Sequence, residues 1–179
     1  MKTTLLILLF SGLLAAAEPT AQAQVPRKAT DIGIQIGPEK YLWLSEHHGQ
    51  TCILAFLLTT CPHCQFTTGV LSNIAKDYAG KDVWIAASAV EPMSSLNIPS
   101  FQKHFTPAFP VGYNDQSYVA KFLGLPPNDP VFFPQVVFID RNGIIRAQFT
   151  GGDKPMDKEI QEKSLRETLE KTIKDGLKK

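Results

Sequence analysis

The sequence predicts an α/β protein in which helices flank both faces of a central mixed β-sheet. Apolar runs of strand length alternate with segments whose apolar residues recur at helical spacing, which is the order typical of α/β domains. Near the C-terminus, Arg141-Asn142-Gly143 is a hairpin turn between two β-rich segments, so one strand pair should be antiparallel. Residues 154–179 then carry apolar side chains on one face and charges elsewhere, which indicates an amphipathic helix lying on the sheet.

The first 23 residues are predicted to be a secretory signal peptide, and residues 24–179 a single domain. Lys2 is followed by an apolar stretch from Leu5 to Ala17, which is too short to span a bilayer. Ala21-Gln22-Ala23 then offers a small-x-small cleavage site. We therefore expect an exported protein, periplasmic or secreted. The alternative is a protein anchored to the membrane by an uncleaved signal.

The domain should begin with a small β-hairpin. Residues 30–36 and 41–44 have strand character on either side of a Gly37-Pro38 turn. Residues 45–49, with two adjacent histidines, are predicted to be a solvated polar turn rather than a metal site. A continuous apolar run from Cys52 to Leu58 then predicts a strand that is buried on both faces.

The remaining elements alternate along the chain. We predict helices at 62–80, 95–105 and 117–123, and strands at 83–90, 109–111, 131–140 and 144–150.

Two cysteines separated by two residues occupy the junction between the buried strand and the helix after it. Pro62 suits the first helical turn, so Cys61 should lie at a helix N-terminus, where unpaired N–H groups favour a thiolate, the nucleophilic form. Cys64 lies on the same helix face and can close a small disulfide ring with Cys61. Such a pair can also hold zinc, an iron–sulfur cluster or haem, or be an inert staple. Gln65 replaces the histidine that haem attachment needs, and there is no second CxxC for zinc.

The third cysteine and the charge balance carry weaker signals. Cys52 opens the buried strand and is predicted to pack in the core, with intermolecular pairing as the alternative.

The net charge is +1 with both signs interspersed, so we expect no nucleic-acid partner.

In this order of elements the chain resembles the thioredoxin fold. Residues 44–64, the strand from Val83, the 109–111 segment and Phe133-Pro134 through Gly143 resemble exported thioredoxin-like proteins of the TlpA and redoxin type. The resemblance implies that Cys61 and Cys64 are the catalytic, disulfide-forming pair. It also implies that Phe133 and Pro134 line the substrate groove, with a cis bond before Pro134.

The match departs from the family in three places. Thr60 stands where relatives often have tryptophan, and Phe133 is bulkier than the usual residue before the proline. Ala55 stands where thioredoxins place a buried acid, so the sequence identifies no proton acceptor for Cys64. The dipeptide Pro62-His63 resembles that of the oxidising enzyme DsbA and is expected to tune the redox potential.

We therefore predict a thiol–disulfide oxidoreductase of the bacterial cell envelope, with no cofactor and no metal. Its partners would be protein thiols or disulfides and an unidentified membrane or periplasmic redox partner, and it would act as a monomer. Two alternatives are a peroxiredoxin-like peroxidase and a copper carrier. The first would need Thr or Ser three residues before its reactive cysteine, where this chain has Leu58. The second would use the two thiolates and a distant histidine such as His104.

Overall fold

The computed structural model describes residues 23–126, 129–150 and 157–178, which form a mixed β-sheet with helices on both faces. The strands are β1 Arg27–Lys28, β2 Gly33–Gly37, β3 Lys40–Trp43, β4 Thr51–Leu57, β5 Val83–Ala89, β6 Val111–Tyr113, β7 Gln135–Ile139 and β8 Ile144–Phe149. The α-helices are α1 Pro62–Asp77, α2 Ser94–Phe105, α3 Gln116–Leu123 and α4 Lys158–Gly176, and a short 3-10 helix spans Leu44–His47. The strand order is β1-β8-β7-β4-β5-β6-β2-β3.

Strand β4 is the centre of the sheet, and every one of its residues is buried. It pairs in parallel with β5 and antiparallel with β7, which confirms the mixed sheet. Because side chains alternate along a strand, Ile53, Ala55 and Leu57 pack into one core with α1, α2 and α4. The intervening Cys52, Leu54 and Phe56 pack into a second core with α3 and β2. The continuous apolar sequence of β4 thus reflects burial on both of its faces.

Several predicted boundaries shift in the structure. The first hairpin strand begins at Gly33 rather than Thr30, and the two-residue strand β1 was not predicted. Strand β6 begins at Val111, and β7 begins only at Gln135, after Pro134, whose missing N–H group cannot join a ladder. Helix α1 ends at Asp77, with Gly80 following at φ 76°.

The prediction of a solvated turn at residues 45–49 was wrong for His47. This residue ends the 3-10 helix, is half-buried and stacks on Trp84 with ring centroids 3.6 Å apart. Trp84 lies at the start of β5, so a residue distant in sequence supplies the burial. His48 is exposed, as expected.

The predicted signal peptide lies, but for Ala23, outside the described residues. Among the helices that the structure does describe, none has both the length and the apolar composition needed to cross a bilayer.

Candidate active site

The Cys61–Cys64 segment begins helix α1, directly beyond the buried end of β4. Cys61 is the N-cap residue, with extended backbone at φ −81° and ψ 122°, and Pro62 occupies the first helical turn. The Cys61 N–H donates to the Leu58 carbonyl at 3.2 Å, and the Gln65 N–H donates to the Cys61 carbonyl at 3.0 Å. Both placements confirm the sequence prediction, and they put the Cys61 side chain beside the positive end of the helix.

The two sulfurs differ in exposure. Cys61 is partly exposed and Cys64 is fully buried, at 0% exposure. Both are free thiols in this structure, and they lie within hydrogen-bonding contact of each other. Whether they form a disulfide on oxidation therefore stays a prediction.

The surroundings of Cys64 favour its protonated form. Burial raises the pKa of the Cys64 thiol most strongly, because a thiolate loses hydration in the core. The Leu58 N–H, which donates to Cys64 Sγ at 3.4 Å, lowers this pKa in part, whereas the nearby Cys61 and the Glu91 carboxylate raise it further. The net direction of the pKa shift is upward, so the protonated thiol is the favoured form of Cys64.

Glu91 is the residue of this site that sequence reasoning missed. It follows β5, and the Val90 N–H donates to the Leu57 carbonyl at 3.0 Å, which carries the β4–β5 pairing to the edge of the sheet. There the Thr59 N–H donates to Glu91 Oε1 at 3.0 Å, and the Thr59 hydroxyl donates to the same oxygen. Its signal in the sequence was its place just beyond a parallel strand, at the edge where such sheets hold their sites.

Pro134 lies at the same edge of the sheet. Gln135, the first residue of β7, pairs with Phe56, so the antiparallel register brings Pro134 alongside Leu57. Pro134 is buried, and the bond that precedes it is cis, as the resemblance implied. Phe133 is half-buried and packs against both cores. Pro62 and His63 are exposed at the start of α1.

An open groove of about 540 Å³ adjoins the loop that precedes Cys61. Thr59, Thr60 and Gln65 form one side, and residues of α2 form the other. Of these, Leu96 is 73% exposed. His104, the histidine of the copper alternative, also lines this groove, and its exposed ring is in edge contact with Phe105.

Comparison with known proteins agrees with this geometry. Residues 24–169 match the family model described as Redoxin. No curated protein sequence matched the chain.

Solved structures with the same fold are numerous, and they show that the fold is thioredoxin-like. A putative thiol:disulfide interchange protein DsbE from Chlorobium tepidum aligns with a TM-score of 0.66 and 22% identity, over 80% of this chain and 96% of that one. A putative protein disulfide isomerase from Bacteroides thetaiotaomicron aligns with a TM-score of 0.68 and 20% identity, over 86% of this chain and 92% of that one. A thiol:disulfide interchange protein from Chlorobium tepidum TLS aligns with a TM-score of 0.62 and 20% identity, over 87% of this chain and 99% of that one.

Proposed function

Because the chain belongs to the Redoxin family, we propose that this thiol–disulfide oxidoreductase exchanges a Cys61–Cys64 disulfide with protein thiols in the bacterial cell envelope. One observation carries the proposal: a buried thiol and a partly exposed thiol in contact at a helix N-terminus beyond the central strand. Among the described residues, this is the place where two sulfurs meet.

The exchange follows from the difference in exposure between the two sulfurs. In the oxidised protein, a substrate thiolate attacks Cys61 Sγ, the Cys61–Cys64 bond breaks, and Cys64 leaves with the electron pair and takes up a proton. A second substrate thiolate then attacks the substrate sulfur of the mixed disulfide and releases Cys61 as a thiolate. In the other direction, Cys61 attacks a substrate disulfide, and Cys64 loses its proton and attacks Cys61 Sγ to release the substrate thiol. Partly exposed Cys61 can meet a protein substrate, whereas buried Cys64 can reach only Cys61.

Pro62 and His63 are proposed to set the direction of electron flow. Both lie exposed between the sulfurs in the first turn of α1. An imidazolium next to the Cys61 sulfur would stabilise the thiolate, which favours the reduced pair and makes the disulfide a stronger oxidant. This dipeptide and its resemblance to DsbA support an oxidising role, whereas the TlpA-type framework supports a reducing one.

Phe133 and Pro134 are proposed to bind the extended chain of the substrate. The register beside Leu57 places their backbone at the edge of the sheet from which Cys61 follows. The groove along α2, with exposed Leu96, could take an apolar side chain next to the reacting disulfide. Two structural neighbours, a putative protein disulfide isomerase and a thiol:disulfide interchange protein, support protein substrates rather than small peroxides.

The proposed location follows from the leader sequence. A cleaved signal over residues 1–23 would export residues 24–179 as a monomer to the periplasm or the exterior, and an uncleaved one would anchor it. A membrane or periplasmic redox partner would then be needed to restore the working oxidation state.

The reduction potential of the Cys61–Cys64 pair tests both the activity and its direction. Equilibration of the mature protein with glutathione buffers should give one two-electron transition. A potential near about −120 mV indicates an oxidant like DsbA, and one near about −270 mV a reductant like thioredoxin. Peroxide consumption that is faster than dithiol exchange, or tight cuprous ion binding without exchange, would contradict the proposal in favour of the peroxidase or the carrier.

A further inference from the structure

We propose that an aromatic groove beside the active-site loop binds a lysine or arginine side chain of the protein with which this enzyme exchanges disulfides. The inference rests on the proposed function, because it assigns a recognition site to that exchange. The groove has a volume of about 750 Å³. It lies between one face of the β2–β3 hairpin, the loop after β5 and the start of α3.

The floor of the groove is a partly exposed face of the β2–β3 hairpin. Ile34 of β2 packs into the second core, so its neighbours Gly33 and Gln35 face the other way. Their cross-strand partners, Trp43 and Tyr41, share that face, and the two aromatic rings lie 5.6 Å apart. Trp43 is 38% exposed and Tyr41 is 42% exposed. Adjacent exposed aromatic rings on one face indicate a binding surface.

The ring of Trp43 is held in place by its packing against Gly33. A methyl group at Gly33 would lie 2.9 Å from Trp43 Cζ3, so glycine is needed for the indole to approach β2 this closely. The Gly33 N–H donates to the Tyr118 hydroxyl at 3.4 Å. Its carbonyl accepts from Asn114 Nδ2 at 2.8 Å, and Asn114 Oδ1 accepts from the buried Ser88 hydroxyl at 2.7 Å. Two aromatic walls of the groove are therefore positioned by contacts within the protein itself.

The groove has the width of one long side chain. Gln35 pairs with Tyr41 on one side and with Tyr113 on the other, so the backbones of the two tyrosines lie about 10 Å apart. The Gln35 side chain turns back along its own strand, where Nε2 donates to the Gly37 carbonyl at 3.2 Å. A lysine or arginine stem can pack along such apolar walls, and its cationic end is attracted to the faces of tyrosine and tryptophan rings.

The charge of the groove also favours a cation. Of the described residues that line it, Glu91 and Asp115 are charged, and none is lysine, arginine or histidine. Neither carboxylate forms an ion pair within the described ranges. Hydrogen bonds from the Ser117 hydroxyl and N–H lower the pKa of Asp115, and Glu91 Oε2 is buried without a hydrogen-bond partner in those ranges. The groove therefore attracts a cation and repels an anion.

Met93 forms part of the groove and has a strained backbone. Its φ of 59° and ψ of 22° lie in the left-handed region, which costs free energy for a residue with a side chain. Its side chain is 72% exposed. Strain of this kind is concentrated at sites that clamp ligands, and a flexible thioether adapts to the stem of a bound side chain.

The groove adjoins the loop that carries the reactive sulfur. Glu91 Oε1 accepts the Thr59 N–H at 3.0 Å, and Thr59 precedes Cys61 by two residues. A protein whose cysteine meets Cys61 can therefore place a basic residue, some positions along its chain, in the groove. The proposed site would select substrates by the sequence around their reacting cysteine. The two unpaired carboxylates favour this cation over a neutral sugar or an apolar segment.

The first experiment measures exchange with a set of peptides that differ at one position. Each flexible peptide has one cysteine and, at one other position in turn, lysine, norleucine or glutamate. Rapid mixing with the protein gives the rate of exchange with the Cys61–Cys64 pair. At the positions that reach the groove, lysine should give a rate about tenfold above that of norleucine, and glutamate the lowest rate. Equal rates for lysine and norleucine at every position would overturn the inference.

Variants of the groove test the source of that preference. Trp43→Leu keeps an apolar side chain without the π face, and Asp115→Asn keeps a good cap for α3 without the charge. Each should lower the ratio of the lysine rate to the norleucine rate by about threefold, whereas a general disturbance of the fold slows both peptides alike. Asp157→Asn, at the N-cap of α4, is the matched control and should keep the parent ratio. A parent ratio in both groove variants would refute the site.

A binding measurement separates the groove from the redox activity. The protein with both Cys61→Ser and Cys64→Ser is titrated with the lysine peptide in which serine replaces cysteine, and the indole N–H signals are followed by NMR. We expect a saturable shift of the Trp43 signal and none of Trp84, which stacks on His47. If this shift occurs but the parent exchanges no disulfide, the proposed function fails and the cation site stands. Normal exchange in the parent with no shift refutes the inference alone, as does an equal shift with the norleucine peptide or a shift with maltose only.

Discussion

Two buried cysteines lie at opposite ends of strand β4, and one of them, Cys64, contacts a second sulfur. Cys52, in the first half of the strand, is 2% exposed, and Cys64, just beyond its other end, is 0% exposed. Burial raises the pKa of both thiols, that of Cys52 to about 12. By depth and by desolvation the two residues are equivalent.

Their neighbours make the difference. Cys52 Sγ lies 4.0 Å from the His47 carbonyl and 3.8 Å from the Gln50 carbonyl, both of which are acceptors that suit a thiol. Cys64 Sγ instead accepts from the Leu58 N–H and contacts a second sulfur. The comparison shows that burial favours the protonated form of both thiols, and that Cys64 alone of the two has a second sulfur in contact at a helix N-terminus, as the proposed redox pair requires.

Removing one sulfur at a time tests most directly whether the two buried cysteines differ in their role. Cys61→Ser should lower disulfide exchange by at least about a thousandfold, on the scale seen when other nucleophiles are removed. Cys64→Ser should trap mixed disulfides on Cys61 instead, visible on non-reducing gels. Cys52→Ser is the matched variant at the other end of β4 and should retain exchange, and an inactive but folded Cys52→Ser would contradict the assignment.

A second experiment compares the reactivity of the three thiols in the reduced protein. Alkylation at mildly acidic pH should label Cys61 about a hundredfold faster than Cys64 or Cys52, since both of these need local opening before a reagent can reach them. Mass spectrometry of peptides taken over time measures the three rates. First labelling of Cys64 or Cys52 would reverse the assigned roles.

A third experiment uses the property that the two buried thiols share. Because folding raises both pKa values, the folded reduced protein keeps protons that the unfolded chain loses above about pH 8.5, so the free energy of unfolding should fall as pH rises past that value. The expected loss is between about 1 and 2 kcal/mol per thiol at pH 10. Denaturant titrations of the parent and of Cys52→Ala measure this loss of unfolding free energy. In the variant, the free energy of unfolding should fall only by the share that is due to Cys64. Identical slopes in the two proteins would show that Cys52 is not buried as described.

The smallest expected effect concerns His63. Replacing it with alanine removes the imidazole of the residue that follows Pro62 in the first turn of α1 and should shift the reduction potential to more negative values by a few tens of millivolts, where about 30 mV corresponds to 1.4 kcal/mol. A glutathione titration measures the shift. His48→Ala, an exposed histidine just before β4, is the control and should leave the potential unchanged. No difference between the two variants would remove the main support for an oxidising role.

Much of this protein could be predicted from local sequence. The apolar run of β4, the helical spacing after Pro62 and the turn at Gly143 each act over a few residues, and the structure confirms the elements they predict. The placement of Cys61 before a helix and of Cys64 within its first turn follows from the same local rules. The elements and positions that depend on a few neighbouring residues could therefore be predicted from the sequence alone.

Tertiary structure decided the rest, because it depends on which strands become neighbours. Parallel pairing of β4 with β5 brings Glu91 to Thr59, 32 residues away, and no local pattern marks that partner. The register of β7 brings Pro134 alongside Leu57, a placement that only the resemblance to a known family anticipated. Stacking on Trp84 likewise buries His47, which its polar neighbours in sequence suggested was solvated. The spacing of apolar residues in the sequence indicates which face of a helix or strand is buried. Which residues contact that face depends on how segments distant in the sequence pack together.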